Sequence, residues 1–123
     1  MGLPMAVNLL KAGYLINAYD INKNSRKKFE KLGGEISNNL EDCTKNANFI
    51  ITMLPDGDIV KKTILSYLKN RKLLNYEVIV IDMSSSDPIG TIALAKKIIK
   101  NKIKIIDAPV SGGVKKAISG DLT

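Results

Sequence analysis

The chain has 123 residues, 45% of them hydrophobic and 25% charged, which allows one globular domain with a hydrophobic core and excludes compositional disorder. No apolar run approaches the roughly 18 residues of a transmembrane helix and no secretory signal opens the chain, so we expect a cytoplasmic protein with no membrane partner. The net charge of +7 comes from residues scattered between Lys11 and Lys116, with only 5% aromatic residues, and this pattern argues against a nucleic-acid partner.

Short apolar runs alternate with helical patterns, which predicts an α/β fold built from βαβ units with a parallel sheet. After an opening helix that ends near Gly13, the predicted strands cover residues 15–19, 49–54, 78–81 and 104–107. The later predicted helices cover residues 25–32, 40–46, 59–68 and 88–100. Ser25 and Asp87 are the expected N-caps of two of them, and Gly33 ends the first of the two.

The absence of histidine and the single cysteine limit the kinds of catalytic and metal sites that this chain can form. The sequence contains no His, and Cys43 is its one cysteine. Catalysis by Ser-His-Asp or Cys-His groups, a disulfide and a cysteine-based metal site are therefore excluded within this chain. We expect no metal site, and a reducing compartment suits a lone thiol.

The first candidate site pairs a helix start with a strand end. Gly2 begins the opening helix, and Asp20 follows the next strand. This is the pattern of the last third of a dinucleotide fingerprint, in which the helix N-terminus faces a pyrophosphate and the acid binds the ribose hydroxyls. The alternative is that Gly2 is only a glycine near the terminus and Asp20 only an exposed acid, with no binding role.

Ligands of open α/β sheets bind outside the carboxyl ends of the strands, where three further segments lie. They are Leu54-Pro55, Ser84-Ser85-Ser86 and Ser111-Gly112-Gly113. The last can present a hydroxyl and adjacent backbone N–H groups to an anion. Each has a structural alternative, which is a strand terminator for the first, a turn for the second and a plain loop for the third.

In order along the chain, these segments resemble the β-hydroxyacid dehydrogenases, most closely the branch of the 3-hydroxyisobutyrate dehydrogenases and tartronate semialdehyde reductases. MGLPMAVNLLKAGY resembles the end of that family's G-x-G-x-M-G fingerprint and its first helix. IITMLP resembles its fourth strand, and DMSSSDP its D-x-S-[ST]-x-D-P segment. DAPVSGGVKKAISGDLT resembles the substrate-loop signature D-A-P-V-S-G-G-x-x-x-A-x-x-G-x-L-T. The resemblance covers the whole chain and implies a Rossmann-like doubly wound parallel sheet.

The resemblance also implies a function: the NAD(P)-binding domain of an oxidoreductase that transfers a hydride between nicotinamide and the β-carbon of a small hydroxy acid such as 3-hydroxyisobutyrate. The cofactor contacts that it implies are Met1, Gly2, Asp20, Leu54, Pro55 and Ser85. The substrate carboxylate would lie against Ser111, Gly112 and Gly113. Asp20 favours NAD through the ribose hydroxyls, while the nearby Lys23 keeps NADP open.

The family pattern extends past both ends of this sequence. Its first strand and two fingerprint glycines would precede Met1, and its catalytic lysine and helical domain would follow Thr123, so we assign no catalytic residue. A sheet of order 3-2-1-4-5-6 without its first strand has two unpaired strand edges. We expect residues 1–123 to be a partial cofactor-binding domain, inactive alone, of a homo-oligomeric enzyme. The alternative is a short non-catalytic module that binds a dinucleotide.

Overall fold

Helices alternate with parallel strands in the computed structural model, which describes residues 1–69 and 76–123. The strands are β1 (Asn17–Ala18), β2 (Glu35–Ile36), β3 (Phe49–Thr52), β4 (Val78–Asp82) and β5 (Ile103–Asp107). The helices are α1 (Gly2–Lys11), α2 (Lys23–Lys31), α3 (Leu40–Thr44), α4 (Gly57–Lys69), α5 (Pro88–Ile98) and α6 (Gly113–Ser119), with a 3-10 turn at Ile99–Asn101. The predicted α/β class is confirmed.

The chain divides into two units, each with its own sheet. One unit comprises Met1–Lys45 and Ser111–Thr123 and contains the parallel pair β1-β2. The other comprises Asn46–Val110 and contains the parallel sheet β3-β4-β5. Among the residues described, β1 and β3 each have a strand partner on one side only. The predicted break in strand pairing is therefore present.

The unit of residues 46–110 contains a continuous apolar core. Its central strand β4 places Val78 and Val80 at 0% exposure, as expected for a parallel strand that is covered on both faces. The other buried members of this core are Val60, Ile64, Tyr67, Leu94, Ile98 and Ile103. Because these side chains come from α4, α5 and β5, and the partly buried Ile50 of β3 packs against them, one cluster holds the three strands and both helices together.

The unit of residues 1–45 and 111–123 is less deeply packed. Helix α1 contacts α2 and α6, yet none of its residues is fully buried. The buried hydrophobic residues of this unit are Phe29 on α2, at 2% exposure, and Ala117 on α6, at 1%. Leu15, predicted to begin a strand, is fully exposed, and β1 is confined to Asn17–Ala18.

Two helix ends follow the predicted chemistry and one does not. Asp87 caps α5 by accepting a hydrogen bond from the Gly90 N–H at 2.8 Å. Gly33 ends α2 with a φ of 89°, a left-handed conformation that glycine adopts without strain. The predicted cap Ser25 is wrong, because Asn22 precedes the helix and its Oδ1 accepts from the Ser25 N–H at 3.3 Å. Ser25 is therefore a residue of the first turn, where it donates rather than caps.

Two elements were not predicted. Strand β2 has two residues, too few for a periodic pattern to show. Helix α6 lies where only a glycine-containing loop was expected, and it ends at Gly120 with a φ of 82°. Within the ranges that the structure covers, no helix combines the length and apolar character needed to cross a membrane.

Cys43 lies on α3, and its Sγ donates to the Asn17 carbonyl of β1 at 3.4 Å. Burial raises the pKa of the Cys43 thiol from its usual 9.0 to about 11. The contact joins a helix to a strand, and the removal of the thiol from water keeps it protonated near neutral pH. The half-buried thiol is therefore expected to react slowly near neutral pH.

The buried face of α4 predicts the effect of truncating its side chains. Ile64 is 1% exposed, whereas Ile59 on the same helix is 37% exposed. Ile64→Ala should lower the free energy of unfolding by about 2–5 kcal/mol, because it removes apolar contacts and leaves a cavity. The matched control Ile59→Ala should lower it by less than about 1 kcal/mol. Urea unfolding measures both, and equal losses would contradict this packing of α4.

The raised pKa of Cys43 predicts slow thiol chemistry. At about pH 8, alkylation by iodoacetamide should be about 100-fold slower in the native than in the urea-unfolded protein, since two pKa units change the thiolate fraction about that much. The Cys43→Ala variant should not react in either state. The thiol's contribution to stability is present below pH 9.0 and is lost as the pH rises towards 11. Equal native and unfolded rates would show that the thiol is not buried.

Candidate functional site

The first predicted cofactor contact is the start of α1. The helix begins at Gly2, and among the described residues no side chain caps it at Met1. The first N–H groups of a helix have no partner within the helix, so this end offers donors and a partial positive charge to an anion. Pro4 lies in the same first turn, where its missing N–H costs no helical hydrogen bond. The local geometry fits the phosphate end of a dinucleotide.

Asp20 follows β1 and is exposed. Its Oδ1 accepts a hydrogen bond from the Asn22 N–H at 2.8 Å, and Asn22 in turn caps α2. Within the described residues, Oδ2 of Asp20 has no hydrogen-bond partner. The turn therefore holds the carboxylate in place while one oxygen is free to accept from a ligand hydroxyl. Beside it, the Arg26 guanidinium lies 5.5 Å from the centroid of the Tyr19 ring.

The predicted substrate loop forms a closed turn around α6. The Ser111 N–H donates to the Thr123 carbonyl at 2.7 Å, and the Thr123 N–H donates back to Ser111 at 3.1 Å. Gly112 and Gly113 have φ values of 130° and 68°, which L-residues rarely adopt. A Cβ at Gly112 would lie 2.6 Å from Cδ of Lys116. Glycine is therefore favoured at both positions, most strongly at Gly112, and Ser111 is exposed beside them.

Asn8 connects α1 to α6, the helix that follows this loop, through a contact that the sequence did not predict. Its Nδ2 donates to the Ala117 carbonyl at 2.8 Å and to the Ile118 carbonyl at 3.4 Å. The only sequence signal was an amide in an otherwise apolar helical stretch. Because of this bond, the helix predicted to meet the cofactor and the helix that follows the predicted substrate loop are fixed within one unit.

In the other unit, the loops after β3 and β4 meet at the carboxyl ends of these strands. The Leu54 N–H donates to Ser84 Oγ at 2.9 Å. Leu54 packs against the core, whereas Pro55 and Ser85 are exposed. The structure therefore brings two of the predicted segments together, with the two neighbouring residues open to a ligand.

Asp82 is the centre of this second region and was missed as a candidate. Its side chain is 0% exposed. Oδ1 accepts from Thr52 Oγ1 at 2.8 Å and from the Ser84 N–H at 3.0 Å, and Oδ2 accepts from Ser86 Oγ at 2.6 Å. An acid that ends an otherwise apolar buried strand was the available signal, since such a position normally holds Val or Ile.

Comparison with known proteins identifies the family of the chain. A family model described as the NAD binding domain of 6-phosphogluconate dehydrogenase matches residues 1–123. Human mitochondrial 3-hydroxyisobutyrate dehydrogenase is 37% identical over 123 residues, covering 100% of this chain and 37% of the human protein. The 3-sulfolactaldehyde reductase of Escherichia coli K12 is 34% identical over 122 residues, covering 99% of this chain and 41% of the reductase.

The fold comparison gives the same relationship. The structure of Mycobacterium tuberculosis 3-hydroxyisobutyrate dehydrogenase with L-serine matches with a TM-score of 0.90 and 27% identity, over 99% of this chain and 41% of that chain. The predicted Rossmann-like fold and the resemblance to these dehydrogenases are confirmed. The chain spans well under half the length of these relatives. Over its whole length, the chain belongs to the family of the NAD binding domain of 6-phosphogluconate dehydrogenase.

Proposed function

We propose that this chain is the cofactor-binding portion of an NAD(P)-dependent oxidoreductase that acts on a small β-hydroxy acid such as 3-hydroxyisobutyrate. Membership of the NAD-binding family supports the cofactor. The names of the relatives support the substrate class, because one is a dehydrogenase of 3-hydroxyisobutyrate and another a reductase of 3-sulfolactaldehyde. Both compounds are small molecules that combine an anionic group with a hydroxyl or an aldehyde.

Met1, Gly2 and Asp20, which lie in one unit, would bind the pyrophosphate and the adenosine ribose of the dinucleotide. The uncapped start of α1 supports a pyrophosphate there, because its N–H groups and its dipole both favour an anion. The free oxygen of Asp20 supports a ribose, whose hydroxyls are donors to a carboxylate. A carboxylate would repel the phosphate of NADP at this position, so we propose NAD as the preferred cofactor.

The nicotinamide end would lie against Leu54, Pro55 and Ser85. An aliphatic side chain and a proline ring offer an apolar surface, and an exposed hydroxyl offers a polar contact. When bound, the nicotinamide group supplies the hydride chemistry of the reaction. These residues bind and orient the ring, and we assign none of the lysines in this chain to the transfer of the hydroxyl proton.

The observation that carries the substrate proposal is the loop of Ser111, Gly112 and Gly113. Two successive glycines with positive φ turn the backbone beside an exposed Ser111, a combination that can direct a hydroxyl and N–H groups at one anion. The Asn8 amide holds the following helix on α1. A substrate carboxylate would thus be bound by a loop in the same unit as Gly2 and Asp20.

The lone, half-buried Cys43 supports our proposal of a cytoplasmic protein, because reducing compartments keep single cysteines free. The homo-oligomer implied by the sequence resemblance stays a prediction. Purification of the protein at the length made in its source cells supplies the material for the tests below, and gel filtration of that material measures its oligomeric state.

The first test measures cofactor binding and turnover on that natural product. Titration with NADH should give saturable binding. When 3-hydroxyisobutyrate and NAD are added together, the protein should reduce NAD to NADH as the hydroxy acid is oxidised. Binding without turnover of any small β-hydroxy acid would favour the short non-catalytic module instead. Absence of binding by both NADH and NADPH would overturn the proposal.

Cofactor choice predicts a specific effect at Asp20. Asp20→Asn should weaken NADH binding about tenfold, since it replaces charge-assisted hydrogen bonds to the ribose with neutral ones. Asn retains an oxygen for the Asn22 N–H, so the turn should persist. The matched control Glu30→Gln removes one negative charge from α2 and should leave the affinity unchanged. Isothermal calorimetry with NADH and NADPH measures the effect, and unchanged NADH affinity in Asp20→Asn would contradict the ribose contact.

The substrate loop predicts a separate effect. Ser111→Ala should raise KM for the hydroxy acid about tenfold, because it removes one hydrogen bond to a charged group. Its affinity for NADH should stay unchanged. Ser119→Ala is the matched control, since that hydroxyl bonds only to carbonyls of its own helix among the described residues. Steady-state kinetics and NADH titration distinguish the cases, and parallel losses of substrate and cofactor affinity would contradict a substrate contact.

A further inference from the structure

We infer that Asp82 is a positioning residue that fixes the two loops of the nicotinamide end, and that its hydrogen bonds set the affinity for the nicotinamide half of the cofactor. The inference rests on the proposed function. Asp82 itself is 0% exposed and touches no ligand surface. Its effect would therefore pass through Leu54, Pro55 and Ser85, the residues proposed to contact the ring.

The contacts of Asp82 reach both loops. Thr52, the last residue of β3, donates to its Oδ1, and Thr52 lies just before the Leu54-Pro55 segment. Ser84 and Ser86 donate to the same carboxylate, and these two residues flank Ser85. Ser85 is thus exposed between two anchored neighbours. The carboxylate determines the backbone path on each side of it.

Three other bonds complete the arrangement. Ser84 Oγ accepts from the Leu54 N–H at 2.9 Å, which ties the first loop to the second. The Met83 N–H donates to the Thr52 carbonyl at 2.9 Å, and the Ala108 N–H donates to the Asp82 carbonyl at 2.8 Å. The segments that follow all three strands of this sheet are therefore linked through Asp82 and its immediate neighbours.

Helix α4 supports the same loop from the other side. A Cβ at Gly57, its first residue, would lie 3.3 Å from the Ser86 Cα and 3.2 Å from the Ser86 Cβ. This close approach leaves the loop little room to move towards α4. Ser86 is therefore held between the Asp82 carboxylate and the start of the helix.

A carboxylate at this buried position is expected to lower the free energy of unfolding relative to an apolar residue. Burial of a charge is unfavourable unless hydrogen bonds compensate for the lost water, and the other residues of β4 are Val and Ile. In the described residues, no Lys or Arg forms an ion pair with Asp82. An apolar residue would fill the strand end without this requirement but could not anchor the two loops. The geometry therefore favours a role in holding the loops.

The experiment compares two ligands that differ at the nicotinamide end. NADH contains both halves of the dinucleotide, whereas ADP-ribose lacks the nicotinamide ring. Asp82→Asn should weaken NADH binding about tenfold, because an amide offers one acceptor oxygen in place of two and releases part of the network. ADP-ribose affinity should change less than about twofold, since its proposed contacts lie at Gly2 and Asp20.

Single-hydroxyl variants test the network even if Asp82→Asn does not fold. Thr52→Val and Ser86→Ala each remove one hydrogen-bond donor to the carboxylate. Each should lower the affinity for NADH and leave the affinity for ADP-ribose unchanged. Thr52→Ser keeps the hydroxyl that Thr52→Val removes, so its NADH affinity should be close to that of the wild type. Asp87→Asn is the matched control, because it removes a charge from the same loop yet keeps an N-cap oxygen for the Gly90 N–H. It should bind both ligands as the wild type does.

The outcomes separate this inference from the proposed function. Equal losses for NADH and ADP-ribose would mean a general structural role and would overturn it. Unchanged NADH affinity in Thr52→Val and Ser86→Ala would overturn it as well. If the wild-type protein binds neither ligand, the proposed function fails, and this inference fails with it. Selective loss of NADH with rescue by Thr52→Ser supports it.

Discussion

A buried carboxylate, that of Asp82, joins the loops at the carboxyl ends of β3 and β4 in residues 46–110, because it accepts hydrogen bonds from two side-chain hydroxyls and one backbone N–H. Thr52 and Ser84 bond to one of its oxygens and Ser86 to the other. The Asp82 carboxylate is 0% exposed, so these three donors must replace the hydrogen bonds that water would otherwise give it. The paths of the loops that follow, including the exposed Pro55 and Ser85, depend on that arrangement.

Sequence reasoning succeeded where the determinant was local. Strand β4 was predicted from four consecutive apolar residues, and α5 from an Asp87 cap followed by Pro88, because both signals lie within a few residues. It failed where two local solutions competed. Asn22 and Ser25 are both good capping residues, and the choice depends on which side-chain oxygen reaches the N–H groups of the first turn. Residue spacing alone does not decide that geometry.

The candidate site residues also differ in whether local sequence could reveal them. The Ser111-Gly112-Gly113 loop could be recognised because glycine is the residue type that best tolerates the positive φ values at positions 112 and 113, so this geometry is visible in the sequence. Asn8 could not, since its partners are the backbone carbonyls of Ala117 and Ile118, and the first of these lies 109 residues away. A backbone acceptor has no residue preference. Asp82 lies between these cases, for its type was visible but its partner Thr52 is 30 residues distant.

In each of the two units, the candidate ligand contacts are held by residues that are not expected to touch a ligand. Asp82 anchors the loops beside Leu54 and Ser85, and Asn8 anchors the helix after Ser111 and its glycines. Ordering such segments before binding removes an entropic cost that would otherwise be subtracted from the affinity. Exposed loops that rest on buried or half-buried polar anchors can therefore bind a small polar molecule with few direct contacts. Sequence change is therefore constrained at the anchors as much as at the contact residues.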